Sequence, residues 1–469
     1  MTSAIASLAP KEPAVIHRLL PGEEPVGLTV ILAHAWRRRS DFPAPLSKLS
    51  SLPVVLRAVL GAQKAGARRI LVVTNPVTGP EVRRSLLASK RLPRDVDWWE
   101  VQDGDSLVSR LVEQLPDCGG SRLTFIFADA AYRASIYQRV AEWDGVEKFL
   151  AVVDGHQAVG VFAASARGIS ELPAQARLRS AQEVLAWLSS SPSVRYESVA
   201  DTEWQPVRSV PDIAAAERKL DHWLVKPTDG LFARFNRRIS IPISHQLIKT
   251  RITPNLVSLL TLGVGLVAGL GFAVGGYLAT LLGAALSVFA SILDGCDGEV
   301  ARLTFQESAF GCWLETVCDY LYYIFIFGGM STGLVRHSAG EPYTWLTFLL
   351  FLGAILSMLV TSHQRRTLTA GRPERYLTTW QKRVEKQRSP LLWLGRHTEF
   401  LIRRCFLPYA LLAFALCNAT QVAFVLCAFG ANVVWPIALY SNHRLTNPRR
   451  TRGHDLCTLQ SGGTHDHLQ

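Results

Sequence analysis

The sequence predicts two unlike parts: a soluble α/β domain, then an all-α domain of six membrane-spanning helices. Three observations carry this. Short apolar runs alternate with amphipathic stretches over roughly the first 200 residues, the chain turns almost continuously apolar after Asn255, and acidic residues become scarce there. Of 469 residues, 48% are hydrophobic and only 19% charged. That balance excludes a disordered chain and argues against a wholly soluble one. The net charge of +12 is unevenly spread: residues 1–220 hold 27 basic and 24 acidic side chains, residues 221–469 hold 23 and 14. Positive charge concentrated in an apolar half reads as Lys and Arg in cytoplasmic loops, not as a nucleic-acid site.

The soluble part is read as residues 1–215. Its strand candidates are Leu28–Ala33, Ile70–Thr74, Val96–Val101, Leu123–Ala128 and Phe149–Val153. Helical periodicity marks Leu52–Ala65, Glu81–Ser89 and Ser106–Leu115 between them. Strands alternating with helices argue for a largely parallel sheet. Residues 216–252 form a linker: a polar helical stretch, the turn signal Lys226-Pro227-Thr228-Asp229-Gly230, then an amphipathic segment with Arg234, Arg237 and Arg238. That segment reads either as an interfacial helix on an anionic inner leaflet or as a solvated basic face.

Residues 253–445 form the membrane domain, with candidate spans at 256–274, 277–296, 310–333, 344–362, 402–418 and 420–440. Crossing the hydrocarbon core takes about 20 residues, so the fifth is short. Gln364–Arg404 holds eleven Lys or Arg, and Arg444, Arg449, Arg450 and Arg452 follow the last span. The positive-inside rule then puts both termini and that loop in the cytoplasm, with the chain integral to the inner membrane. No apolar stretch resembling a cleaved signal precedes Leu20. The eight cysteines include no CxxC pair and read as small core residues of a reducing compartment. Residues 446–469 form a polar tail whose His454, His465 and His467 are read as solvated. Trp98-Trp99 is read as strand core or an interface.

The acids decide the chemistry. Six of the 14 acidic residues in the second half lie between Asp294 and Asp319. Carboxylates in or beside spanning helices are costly, and Arg302 is the only basic residue of that interval. A metal is the expected partner. Asp294 and Asp297 share one helix face, Glu315 and Asp319 share a face of the next, and two antiparallel helices would bring the four together. An all-oxygen cluster suits Mg²⁺ or Mn²⁺, with phosphate oxygens completing the shell. Gly298 and Gly311 leave room for close approach.

The run Asp294-Gly295-Cys296-Asp297-Gly298-Glu299-Val300-Ala301-Arg302, followed by Gly311, Glu315 and Asp319, closely resembles the CDP-alcohol phosphotransferase signature D-x2-D-G-x2-A-R-x8-G-x3-D-x3-D. Seven fixed positions match; Glu315 stands where the pattern has a third Asp. Thr253-Pro254-Asn255 at the entry to the first span is also similar to that family. The resemblance implies a two-metal site on Asp294, Asp297, Glu315 and Asp319, with Asp319 also the general base. It implies that Gly298, Ala301, Arg302 and Gly311 hold the cytidine nucleotide, that CMP leaves, and that the protein is a homodimer. Two cations about 4 Å apart would clamp a diphosphate, and a carboxylate in reach of the acceptor hydroxyl contributes roughly 10²–10⁴-fold. Arg365 and Arg366, just past the fourth span, are read as a site for an anionic acceptor or as topology anchors.

The first half more distantly resembles sugar-phosphate nucleotidyltransferases. The similarity rests on Leu52-Pro53-Val54, on Gly66-Ala67-Arg68-Arg69-Ile70-Leu71-Val72-Val73, and on Phe127-Ala128-Asp129 ending a strand. The join from Arg218-Lys219-Leu220 to Gly230 resembles that of bifunctional inositol-phosphate cytidylyltransferase/di-inositol-phosphate phosphate synthases. The resemblance implies a Gly-rich phosphate loop, which His34-Ala35-Trp36-Arg37-Arg38-Arg39-Ser40 lacks, and a second metal-binding Asp, which Val207-Arg208-Ser209 lacks. Asp129 and Lys48 remain. The domain is therefore read as catalytically inactive. The expected function is transfer of a phospho-alcohol group from CDP-diacylglycerol or CDP-inositol to a polyol hydroxyl such as that of inositol phosphate. The competing readings are a degenerate membrane scaffold and a transporter.

Overall fold

The computed structural model describes residues 27–34, 41–93, 96–102, 107–108, 122–169, 171, 180–226, 229–250, 252–337, 341–369 and 405–446. The expected helix 106–115, the loop 35–40, the basic stretch 370–404 and the tail beyond 446 lie wholly or mostly outside them. The chain divides into two compact units, one formed chiefly by residues 1–224 and the other by 225–301 and 306–469.

The first unit is built on a seven-stranded sheet. Its strands are β1 (Leu28–Leu32), β2 (Arg69–Thr74), β3 (Val96–Glu100), β4 (Leu123–Phe127), β5 (Phe149–Asp154), β6 (Gln157–Ala164) and β7 (Val194–Ser198). The order is β7-β5-β6-β4-β1-β2-β3. β1 pairs parallel with β2 (Leu28 opposite Arg69) and with β4 (Leu28 opposite Leu123). β6 runs antiparallel to both β4 and β5. All five expected strands are present. β6 and β7 were not among the expected strands, although Ala158–Ala164 is an apolar run like those that were. The entry to β6 is a tight turn at Gly155, where φ is +57°.

Burial on both faces is what a central parallel sheet demands. Ile31, Val72 and Ile126 point to one face with Val55, Leu56 and Val59 of α1 (Val54–Lys64). Val30, Leu71, Val73 and Phe125 point to the other. Helices α2 (Gly79–Leu87), α3 (Ala134–Ala141), α4 (Ala181–Leu188) and α5 (Val210–Leu224) complete the unit. Arg57, wholly buried, donates from Nε and Nη2 to the Leu49 carbonyl at 3.0 and 2.6 Å, and burial pushes its pKa down to about 10. Glu203 accepts from Ser135 Oγ at 2.8 Å and from Arg139 Nη2 at 3.0 and 3.1 Å.

The second unit is helical: α6 (Leu231–Lys249), α7 (Pro254–Val274), α8 (Tyr277–Thr304), α9 (Ala309–His337), α10 (Glu341–Thr369), α11 (Leu407–Leu416) and α12 (Thr420–Thr446). Among the described residues, four helices are long and apolar enough to cross a membrane: α7, α8, 342–364 of α10 and 420–440 of α12. The other two expected spans correspond to α9, whose first half carries Glu315, Asp319 and three tyrosines, and to the ten-residue α11. The six described cysteines are free thiols.

Two features of this unit were not read from the sequence. First, α7 packs extensively along α9. Small residues allow it: a Cβ on Gly269 would strike the Phe325 carbonyl, one on Gly329 the Gly269 carbonyl, and one on Gly333 the Phe272 carbonyl. Glycines four apart on each helix are the usual signal for such close approach in membranes. Second, α6 is inside out. Asn236, Ser240 and Ser244, spaced four apart, are buried, while Leu231, Phe235 and Ile239 of another face are exposed.

Two predictions follow from packing and charge. Burial opposes ionisation of Glu203, but Ser135 and Arg139 outweigh it and hold the carboxyl below its ordinary value. Its stabilisation is therefore complete above the unfolded value of about 4.3 and is lost as pH falls through the lower folded value. Glu203→Ala should cost the first unit about 1.5–3 kcal/mol near neutral pH and flatten its acid sensitivity below about pH 4. Urea unfolding followed by tryptophan fluorescence across pH measures both. In the second unit, Gly329→Val should force α7 and α9 apart, by overpacking worth at least 1–3 kcal/mol. A fall in the detergent-solubilised melting temperature, absent from Gly328→Ala where space is open, reads it.

Candidate functional site

Asp294 and Asp297 lie in the last three turns of α8, and the structure buries Asp297 to 5% exposure. The turn is held by a neighbour on its near side. Thr253 caps α7, its Oγ accepting from the Leu256 amide at 3.4 Å, and Pro254 takes the first helical position, where no amide donor is needed. This start places Ser258 one turn in, and its hydroxyl donates to Asp297 Oδ2 at 2.5 Å. The Gly298 amide donates to Asp297 Oδ1, also at 2.5 Å.

Asp294 lies one turn before Asp297 on α8, and Glu315 is the first acid of α9. Glu315 is exposed and Asp319, one turn further along α9, is half-buried. Asp294 also bears on Tyr322, whose hydroxyl sits 2.6 Å from Ser287 Oγ. Gly298, Ala301, Arg302 and Gly311 are all partly buried, and Gly311 has the Asn255 carboxamide and Ser308 hydroxyl where a Cβ would project. Arg365 and Arg366 fall in the last two turns of α10, and their side chains lie outside the described residues.

The chemistry of this set fits a hard divalent cation, since its donors are all carboxylate oxygens. As placed, no three His, Cys, Asp or Glu among the described residues stand at ligating range.

One acid of the interval belongs to a different set. Glu299 is fully buried, and Arg237 of α6 donates to its Oε1 at 2.5 Å. Ser240 donates to the same oxygen at 2.5 Å and Ser244 to Oε2 at 2.6 Å. The expectation that the interval lacked cationic partners counted only Arg302 and so overlooked Arg237, 62 residues before Glu299. The serines spaced four apart with an arginine were the available signal.

In the first unit, Asp129 Oδ2 accepts from Arg208 Nε at 3.0 Å. Where a second metal-binding Asp was sought, an arginine stands. Lys48 is exposed in a two-residue strand. The pair Asp129–Arg208 is largely solvated and contributes little to stability.

Residues 251–384 match the family model for CDP-alcohol phosphatidyltransferases. The C-terminal part therefore carries a CDP-alcohol phosphotransferase domain. The matched stretch contains Asp294, Asp297, Glu315 and Asp319. The chain is also similar to curated proteins named bifunctional IPC transferase and DIPP synthase. In Aquifex aeolicus the identity is 35% over 126 residues, covering 26% of this chain and 28% of that protein. In Thermococcus kodakarensis it is 32% over 165 residues, covering 34% and 36%. The matches thus span about a third of the length of these relatives. Solved structures with some likeness include a manganese complex from Mycobacterium tuberculosis (19% identity, TM-score 0.34, 42% of this chain and 100% of that one). Another is the inositol-1-phosphate CTP transferase of T. maritima (11% identity, TM-score 0.32, 42% and 96%).

The phosphotransferase domain thus rests buried Asp297 on a hydroxyl from α7. Ser258→Ala removes that bond and should cost about 1.5–3 kcal/mol, the range for a hydrogen bond to a charged group. Ser258→Thr, which keeps the hydroxyl, should recover most of the loss in thermal unfolding of detergent-solubilised protein.

Proposed function

We propose that the chain is a membrane CDP-alcohol phosphotransferase that moves a phospho-alcohol group from a CDP-linked donor to a polyol hydroxyl, with release of CMP. The observation that carries the proposal is the family match over residues 251–384, a segment that contains Asp294, Asp297, Glu315 and Asp319 at the signature spacing. Similarity to the bifunctional synthases supports inositol-phosphodiester synthesis, with CDP-inositol or CDP-diacylglycerol as donor and inositol phosphate as acceptor.

Asp294, Asp297, Glu315 and Asp319 would hold two divalent cations, Mg²⁺ or Mn²⁺, whose charge offsets that of the diphosphate. Asp319 takes the proton of the acceptor hydroxyl. The acceptor oxygen then bonds to the phosphorus bearing the alcohol, and the bond from that phosphorus to the CMP oxygen breaks. Gly298 and Gly311 leave space for the cytidine nucleotide beside Ala301, and the Arg302 guanidinium carries charge suited to its phosphates. Arg365 and Arg366 suit an anionic acceptor at the cytoplasmic face. Six passes, both termini in the cytoplasm and a homodimer complete the reading. The first unit serves as an inactive partner domain, since Arg208 already neutralises Asp129.

Full-length protein in liposomes, given Mg²⁺ or Mn²⁺, should release CMP from CDP-inositol or CDP-diacylglycerol when inositol phosphate or glycerol phosphate is supplied. Asp319→Asn should lower that release by at least about 10²-fold, and chelation with EDTA should abolish it. Glu315, which departs from the family pattern, favours a second reading as a non-catalytic scaffold. Failure of every donor and acceptor pair to yield CMP would establish that reading instead.

A further inference from the structure

Glu299 occupies none of the positions that the signature fixes, yet it is fully buried and closely held. Its exposure is 0%, and three side chains of α6 donate to it. Arg237 also reaches the Gly295 carbonyl at 3.1 Å, one turn earlier on α8. Asn236, on the buried face of α6, donates to the carbonyl and hydroxyl of Ser291 at 3.4 and 3.3 Å. Tyr409 of α11 donates in turn to Asn236 Oδ1 at 2.6 Å. Three successive turns of α8, at 291, 295 and 299, are therefore fastened to one helix.

The direction of that fastening matters. Helical residues advance about 100° each, so Glu299 lies about 200° round α8 from Asp297. Ser258 of α7 grips Asp297 while α6 grips Glu299 on the opposite face. Pulled from both sides, α8 has one rotation about its axis at this turn, and that rotation aims Asp294 and Asp297. The buried charge adds selectivity. Turning α8 would leave Glu299 in an apolar setting without Arg237, a costly state.

We infer that Glu299 is a positioning residue: with Arg237, Ser240 and Ser244 it sets the rotation of α8 and so the cation affinity of the carboxylate site. This rests on the proposed metal-dependent function. It also explains why α6 turns its polar face inward.

The test is Mn²⁺ binding to the full chain in nanodiscs, read by electron paramagnetic resonance without substrate. Glu299→Ala should weaken Mn²⁺ binding by about 10–100-fold, the effect typical of residues that orient metal ligands. Glu299→Gln, which keeps the shape and most hydrogen bonds, should stay within a few-fold of the parent. Ser240→Ala/Ser244→Ala leaves the ion pair in place, guards against a misfolded Glu299→Ala, and should weaken binding in the same direction. Glu307→Gln, at an exposed acid of the same interval, should leave affinity unchanged. If folded Glu299→Ala, or the double serine variant where Glu299→Ala does not fold, binds Mn²⁺ as the parent does, the positioning role is overturned alone. If the parent itself binds no Mn²⁺, the metal reading fails and takes the positioning role with it.

Discussion

The second unit depends on how acids are kept inside an apolar helix bundle. A carboxylate removed from water is tolerated only when charge and hydrogen bonds replace its hydration. Glu299 meets that requirement completely, with one guanidinium and two hydroxyls. Asp297 is held by one hydroxyl and one amide. The contrast sets Glu299, which fastens the helix, apart from the acid that the proposed function puts to work. It also explains the inverted face pattern of α6, whose serines satisfy Glu299 while Leu231, Phe235 and Ile239 face outward. An outward apolar face beside exposed Arg234 and Arg238 suits an interface with lipid.

Glycine sets the second constraint. The backbones of α7 and α9 approach so closely that Gly269, Gly329 and Gly333 have no room for a side chain. This contact seats the start of α7 where Ser258 can reach Asp297. Helix packing in one region thus determines an interaction several turns away, because an α-helix transmits position along its length with little bending.

The first unit runs on different physics. A sheet buried on both faces needs apolar residues throughout, and β1, β2 and β4 supply them. At the strand end where Asp129 sits, the arginine at 208 neutralises it. That local match of opposite charges removes the unpaired carboxylate that a metal site would use.

Much of this was legible in the sequence because its signals are local. Short apolar runs placed five strands, and apolar length placed four helices long enough to cross a membrane. What the sequence left open depends on contacts between distant segments. Nothing near Glu299 announces Arg237, Ser240 and Ser244, and the antiparallel pairing of β6 with β4 and β5 shows only in the folded sheet. The close packing of α7 along α9 follows from glycines 60 residues apart in the chain, such as Gly269 and Gly329. Composition and spacing by themselves marked the acids of this interval as unusual. Only the tertiary structure decided that Glu299 is neutralised by an arginine, because burial and partner geometry exist only once the helices have packed.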